Sequence, residues 1–134
     1  MFDLVSSNPM LQMMERSMTL ASRRMTLIAG NIANIDTPNY QAQDFSFQDA
    51  FKKEMAAMDR QFSPGSTATP SAFTRSSASQ PSASATFERN DLNNVSLDQQ
   101  TQALANTQEI YQLSSNFAQV ELRRLLGAIR DGAK

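Results

Sequence analysis

From Pro9 to Ile35 the apolar residues recur at alternating steps of three and four: Leu11, Met14, Met18, Ala21, Met25, Ile28, Ile32 and Ile35. That spacing is a coiled-coil seam on a helix of about 40 Å. Ser7 or Asn8 ahead of Pro9 supplies the start, a capping oxygen followed by a proline whose missing N–H costs nothing there. A second row, Met13, Leu20 and Leu27, repeats every seven residues about 100° around the same helix. One partner helix covers only one row. The two rows therefore imply either a hairpin, in which both meet the C-terminal helix and the middle segment, or packing against several subunits. The stop is sharp: Pro38 disfavours helical geometry at Thr37, and Asp36 and Asn39 can bond their own nearby backbone. The charged residues Glu15, Arg16, Arg23 and Arg24 lie mostly off the seam and read as a solvated face.

After a short polar link over 41–45, Ser46 caps a second amphipathic helix over about 46–59, carrying Phe47, Phe51, Met55 and Met58. Residues 62–86 are mostly Ser, Ala, Thr and Pro, too poor in apolar surface to offset their ordering entropy, and read as a linker or loop. Asn90 to Val95 is turn-rich. A calcium loop starting at Asp91 would need glycine at Ser96 and a carboxylate at Gln102, so capping and turn chemistry account for it better. Ser96-Leu97-Asp98-Gln99 has the form of a capping box and opens a long helix that Gly132 ends. On that helix Ile110, Leu113, Phe117 and Val120 form one face. Leu104, Tyr111, Leu122, Leu125, Leu126 and Ile129 spread apolar surface onto its neighbours. Gln99, Gln100, Gln102, Gln108 and Gln112 make the front half either solvated or bonded to neighbours. The result is an all-α, extended chain in three parts: 1–61, the linker 62–86, and 87–134.

Composition narrows the function by exclusion. A net charge of −1 in 134 residues gives no field of one sign for nucleic acid or an anionic membrane. Without Cys or His, thiolate sites, disulfides and the usual triads have no residues to form them. The first residues lack the basic region and apolar run of a cleaved secretory signal, and no stretch reaches the ~18 apolar residues of a membrane span. Partners are expected through apolar surface, and no cofactor is implied.

The order of parts carries a further meaning. A heptad helix ends in Asn31-Ile32-Ala33-Asn34-Ile35-Asp36-Thr37-Pro38-Asn39-Tyr40, a variable middle follows, and an Asn90-Asp91-Leu92-Asn93-Asn94-Val95 turn leads into a long C-terminal helix. This resembles the bacterial flagellar rod, hook and filament-joining family of axial proteins. The short length, Thr37 to Ala42, Phe45 to Phe47 and the later turn resemble its proximal rod type. The family motif maps onto Asn31, Asn34, Asp36, Thr37, Pro38 and Tyr40. Where the family has glycine, this chain has Asn39 and Leu92.

The resemblance implies a structural subunit of the flagellar basal body. Its terminal helices would pair as a coiled-coil layer and stack helically with other rod subunits, joining the inner-membrane ring through a rod adaptor. It implies a periplasmic location after unfolded passage through the flagellar type III export apparatus. Assembly seams would then include Leu11, Met14, Met18, Met25, Ile28, Ile32 and Ile35 on the first helix, and Ile110, Leu113, Phe117, Val120, Leu125 and Ile129 on the last. Phe47 and Phe51 match the Phe-x-x-x-apolar spacing of the family's export-gate element. Tyr40 is expected to anchor the outgoing chain on a neighbouring helix. Two other classes compete. A membrane-active effector would need basic residues around its apolar stripe, which are scarce here. An enzyme acting on cell wall with two carboxylates would need a pair such as Glu109 and Glu121 in a shared pocket.

Overall fold

A computed structural model of the chain describes residues 8–62, 82–83, 90 and 92–132. Three helices dominate it: α1 (Pro9–Ala33), α2 (Phe47–Phe62) and α3 (Leu97–Asp131). Two short strands, β1 (Gln43–Asp44) and β2 (Ser82–Ala83), pair antiparallel, Gln43 opposite Ala83 and Asp44 opposite Ser82. The all-α architecture expected from periodicity is therefore present, with one small ladder added. That ladder corrects two expectations: the link over 41–45 contains a strand, and part of the linker 62–86 pairs with it. The remainder of that linker lies outside the described residues.

α1 starts as its sequence dictates. The Asn8 side chain accepts from the N–H groups of Met10 and Leu11 at 2.9 and 3.3 Å, and Pro9 occupies the first helical position. The helix ends two residues before Ile35, at Ala33, because Asn34 leaves helical geometry and its side-chain amide turns back onto the Gly30 carbonyl at 2.8 Å. Ser46 caps α2 through Asp49 N–H at 3.3 Å. α2 runs on to Phe62, beyond the expected 59. At α3 the capping box does not form: Ser96 has the extended backbone of a cap, but its side chain makes no capping bond. Gln100 N–H instead bonds the Ser96 carbonyl at 3.0 Å.

α1 and α3 lie side by side as an antiparallel hairpin, and among the described residues α2 packs on α1 and not on α3. A row of α1 therefore faces each neighbour, which answers the question of the two stripes within one chain. Leu20, from the second row, is fully buried with Phe45 and Ala50, and Leu27, Phe47 and Phe51 pack around them. The first row supplies Met14, Ala21 and Ile28 to the core. Removing side chains of this size from water contributes about 1.5–3 kcal/mol each.

Candidate functional site

The stretch that ends α1 and the turn that precedes α3 meet in one polar corner. Asn31 is its centre, and it is fully buried. Its amide nitrogen donates to the Gln43 carbonyl at 2.8 Å and to Gln100 Oε1 at 3.0 Å. Its oxygen accepts from Gln43 N–H at 2.9 Å and from the Tyr40 hydroxyl at 3.2 Å. All four hydrogen-bonding positions of the side chain are filled, the condition under which a buried amide does not carry a desolvation penalty. Tyr40 thus anchors on its own α1. Its hydroxyl lies 3.9 Å from where a Cβ on Gly30 would stand.

Asn93 and Asn94 join the corner from the other end of the chain. Asn93 Nδ2 reaches the carbonyls of Asn34, Ile35 and Thr37 at 3.0, 3.0 and 2.8 Å, tying down the turn that follows α1. Asn93 Oδ1 accepts from Val95 N–H at 2.8 Å. Asn94 takes Ala42 N–H on its side-chain oxygen and gives its own N–H to the Tyr40 carbonyl. The two asparagine-rich motifs, far apart in sequence, are therefore halves of one hydrogen-bonded joint. Asp36, Thr37, Pro38 and Asn39 form its exposed rim. Both positions where the family has glycine adopt a left-handed backbone, Asn39 at φ 60° and Leu92 at φ 62°. Asn tolerates this conformation, whereas Leu is strained there by about 1–2 kcal/mol.

Below the corner the α1–α3 contact is polar at regular intervals. Gln100, Thr107 and Ser114 are buried and Glu121 is half-buried, one every seven residues. They meet α1 in antiparallel order: Gln100 with Asn31, Ser114 with Ser17 at 2.7 Å between hydroxyls, and Glu121 with Asn8 at 3.2 Å. Thr107 bonds back to the Ala103 carbonyl at 2.6 Å. A slip of one turn would break all three cross-helix pairs together, so this ladder fixes the register of the hairpin. Hydropathy periodicity misses such a ladder because it scores these residues as polar and assigns them to water. Their exact seven-residue repeat was the available signal.

The apolar positions of α3 accordingly lie beside the buried line. Leu113, Phe117, Val120 and Ile129 are each at least half exposed, and Ile110 and Leu125 are half-buried. On α1, Met14 and Ile28 are buried within the chain, whereas Leu11, Met18, Met25 and Ile32 flank the seam, half-buried, as is Ile35 in the turn beyond the helix. Ser17 and Asn31 occupy inward positions that the heptad reading gave to neighbours.

The charged face of α1 needs correction as well. Arg16 pairs with the buried Glu54 of α2 at 2.7 Å, and Arg24 grips Asp44 of β1 through two bonds of 2.9 and 2.7 Å. Two cations expected in solvent therefore clamp the middle segment onto α1. The hydrogen bond to Asp44 raises the Arg24 pKa; burial opposes the rise, and the Asp44 charge adds to it. A cation whose folded pKa is raised keeps its contribution below its ordinary pKa and loses it only at still higher pH, so this clamp is intact at any physiological pH. Phe47 and Phe51 stack with centroids 6.0 Å apart and lie against the Leu20 cluster.

No described cluster of His, Cys, Asp or Glu could hold a metal ion, and no described helix is long and apolar enough to cross a membrane. Glu109 and Glu121 stand twelve positions apart on one helix, about 18 Å by its rise. That is about twice the largest separation useful to a carboxylate pair in glycoside hydrolysis.

The described residues thus form a helical hairpin locked in register, with a clipped middle helix and apolar ridges exposed on α3. Comparison with known proteins shows what its first part is similar to. Residues 11–41 match the flagella basal body rod protein family. FlgB, the flagellar basal body rod protein of Salmonella typhimurium, is 42% identical over 45 residues, which cover 34% of this chain and 33% of that protein. FlgB of Bacillus subtilis is 39% identical over 49 residues, 37% of this chain and 38% of the relative. FlgB of Escherichia coli is 42% identical over 45 residues, again 34% and 33%. The matched part thus spans about a third of the length of these relatives. The family-matched residues 11–41 hold α1 except for its first two residues, and the Asn31–Tyr40 stretch.

Proposed function

We propose that this chain is a structural, non-enzymatic subunit of the bacterial flagellar basal-body rod, of the proximal type, which passes torque from the inner-membrane ring towards the hook. The observation that carries the reading is that the family-matched residues 11–41 contain the Asn31 hub and its Tyr40 partner, the half of the corner that Gln43 and Gln100 complete from outside the matched segment. A subunit that transmits torque needs a hairpin that does not slip. The polar ladder supplies that property, and the apolar ridges of α3 remain available to neighbours. Other rod subunits, a rod adaptor and the ring are the partners of this reading, and the flagellar type III apparatus its route to the periplasm. Phe47 and Phe51 serve as the export-gate element. In the folded chain they pack against the Leu20 cluster, so the gate would meet them before folding.

The test is complementation of a strain that lacks its own proximal rod gene, with isolation of hook–basal bodies and immunodetection of the chain within them. Restored swimming with the chain in the rod fraction supports the reading; a chain that is exported but absent from purified basal bodies refutes it. Replacing both Phe47 and Phe51 by alanine should reduce export, and normal secretion would remove the gate role.

A further inference from the structure

We propose that copies of this chain join head to tail by one specific pair of faces: the Leu113–Phe117–Val120 ridge of α3 in one copy lies antiparallel in a groove on α1 of the next. The inference rests on the rod-subunit reading and deepens it by naming which surfaces meet.

The groove, about 850 Å³, is lined by Glu15, Met18, Thr19, Ser22, Arg23, Thr26 and Tyr111. Along α1 it has the short side chains Thr19, Ser22 and Thr26, with Glu15 continuing the line, at steps of four, three and four from 15 to 26. The ridge has the same spacing: Leu113, Phe117, Val120 and, next on that line, Arg124. Run antiparallel, the two sets coincide position for position. Leu113 lies over Thr26, Phe117 over Ser22, Val120 over Thr19, and Arg124 over Glu15. Large apolar residues thus face small ones, the condition for close helix packing. The final pair joins a cation to an anion. The Arg124 side chain is 80% exposed, and its contact with Glu121 of its own helix is 3.9 Å long, so it is available to a partner. Glu15 is exposed.

The occupant is a second copy because both complementary surfaces are on this chain and neither covers the other. Leu113, Phe117 and Val120 lie on one flank of the buried line through Ser114, and Tyr111 lies on the opposite flank. A ridge on one side and its groove on the other make a heterologous contact, which propagates as a helix when the rotation does not close. An antiparallel match of α3 to the neighbour's α1 also leaves all copies pointing the same way, since α1 and α3 are antiparallel within each copy.

Two experiments on the full chain test the pairing. The chain has no cysteine, so single cysteines report cleanly. Mixing F117C with S22C under oxidation should give a disulfide-linked heterodimer, with little homodimer from either variant alone. In sedimentation, F117D and S22W should each weaken self-association at least tenfold while helicity by circular dichroism stays unchanged, both positions being exposed. An equimolar mixture of the two should stop at a one-to-one complex, the intact ridge of S22W filling the intact groove of F117D. A 117–117 disulfide, or a wild-type chain that self-associates as before when either face is blocked, overturns the face assignment and leaves the rod reading standing. A wild-type chain that stays monomeric at every concentration, and is absent from basal bodies, overturns both.

Discussion

Asn31→Leu is the substitution that most directly probes the corner. Leucine keeps the branched shape of asparagine with bulkier ends, so no cavity opens, and any overpacking adds to the cost of the lost polar connectivity. Four hydrogen bonds of 2.8 to 3.2 Å are lost. Each contributes about 0.5–1.5 kcal/mol net, and each buried group left without a partner costs about 1–3 kcal/mol. Gln100 is the deeply buried partner, whereas Gln43 is exposed and Tyr40 half-buried, so water can replace part of what they lose. The sum is about 3–5 kcal/mol. Set against a typical domain stability of about 5–15 kcal/mol, that is a large fraction. Urea titration followed by circular dichroism would measure it, with Asn34→Ala as the control: it removes the Gly30 cap and should cost only about 1 kcal/mol. The double variant Asn31→Leu/Gln100→Leu should recover part of the loss, since both ends of one buried bond are then apolar. A loss below about 1 kcal/mol for Asn31→Leu would show that the corner bonds are replaceable by water, and the argument would fail.

The other predictions concern the clamp, the strained turn and the seam. Arg16→Ala takes the guanidinium from the buried Glu54 and should cost about 2–4 kcal/mol, read as earlier proteolysis within α2 than in α1 or α3; equal protection of all three helices would refute the clamp. Leu92→Gly relieves a left-handed leucine that is half exposed and loses little packing, so it should stabilise the chain by about 1 kcal/mol and raise the thermal midpoint. A lowered midpoint would count against the strain. Pro38→Ala lies on the exposed rim and should leave motility intact in the complementation assay. Ile28→Asp, at a fully buried position, should abolish both folding and motility. Half-buried Ile32→Asp should fall between them; a result as mild as Pro38→Ala would mean that this flank meets no neighbour.

Local chemistry was legible because it depends on neighbours in the chain. The caps at Asn8 and Ser46, the stop after Ala33 and the helical periods of all three helices follow from side chains acting within a turn or two of themselves. Both left-handed positions also coincide with glycine positions of the family. The sequence by itself therefore determined that the protein is a set of amphipathic helices and about where each begins, while the first one stopped two residues short of Ile35.

What faces inward was decided only in three dimensions. A heptad pattern says which residues share a face, but the direction of that face depends on the partner. On α3 the apolar face turned outward, and the line Gln100–Thr107–Ser114 turned inward. Its polar groups could be buried at little cost because Asn31 and Ser17, 69 and 97 residues away in sequence, bond Gln100 and Ser114. Arg16 and Arg24 left solvent for the same reason, each meeting a carboxylate that the fold brought to it. A buried polar residue is stable only with its partner in place, and for this chain those partners are assembled by the tertiary fold.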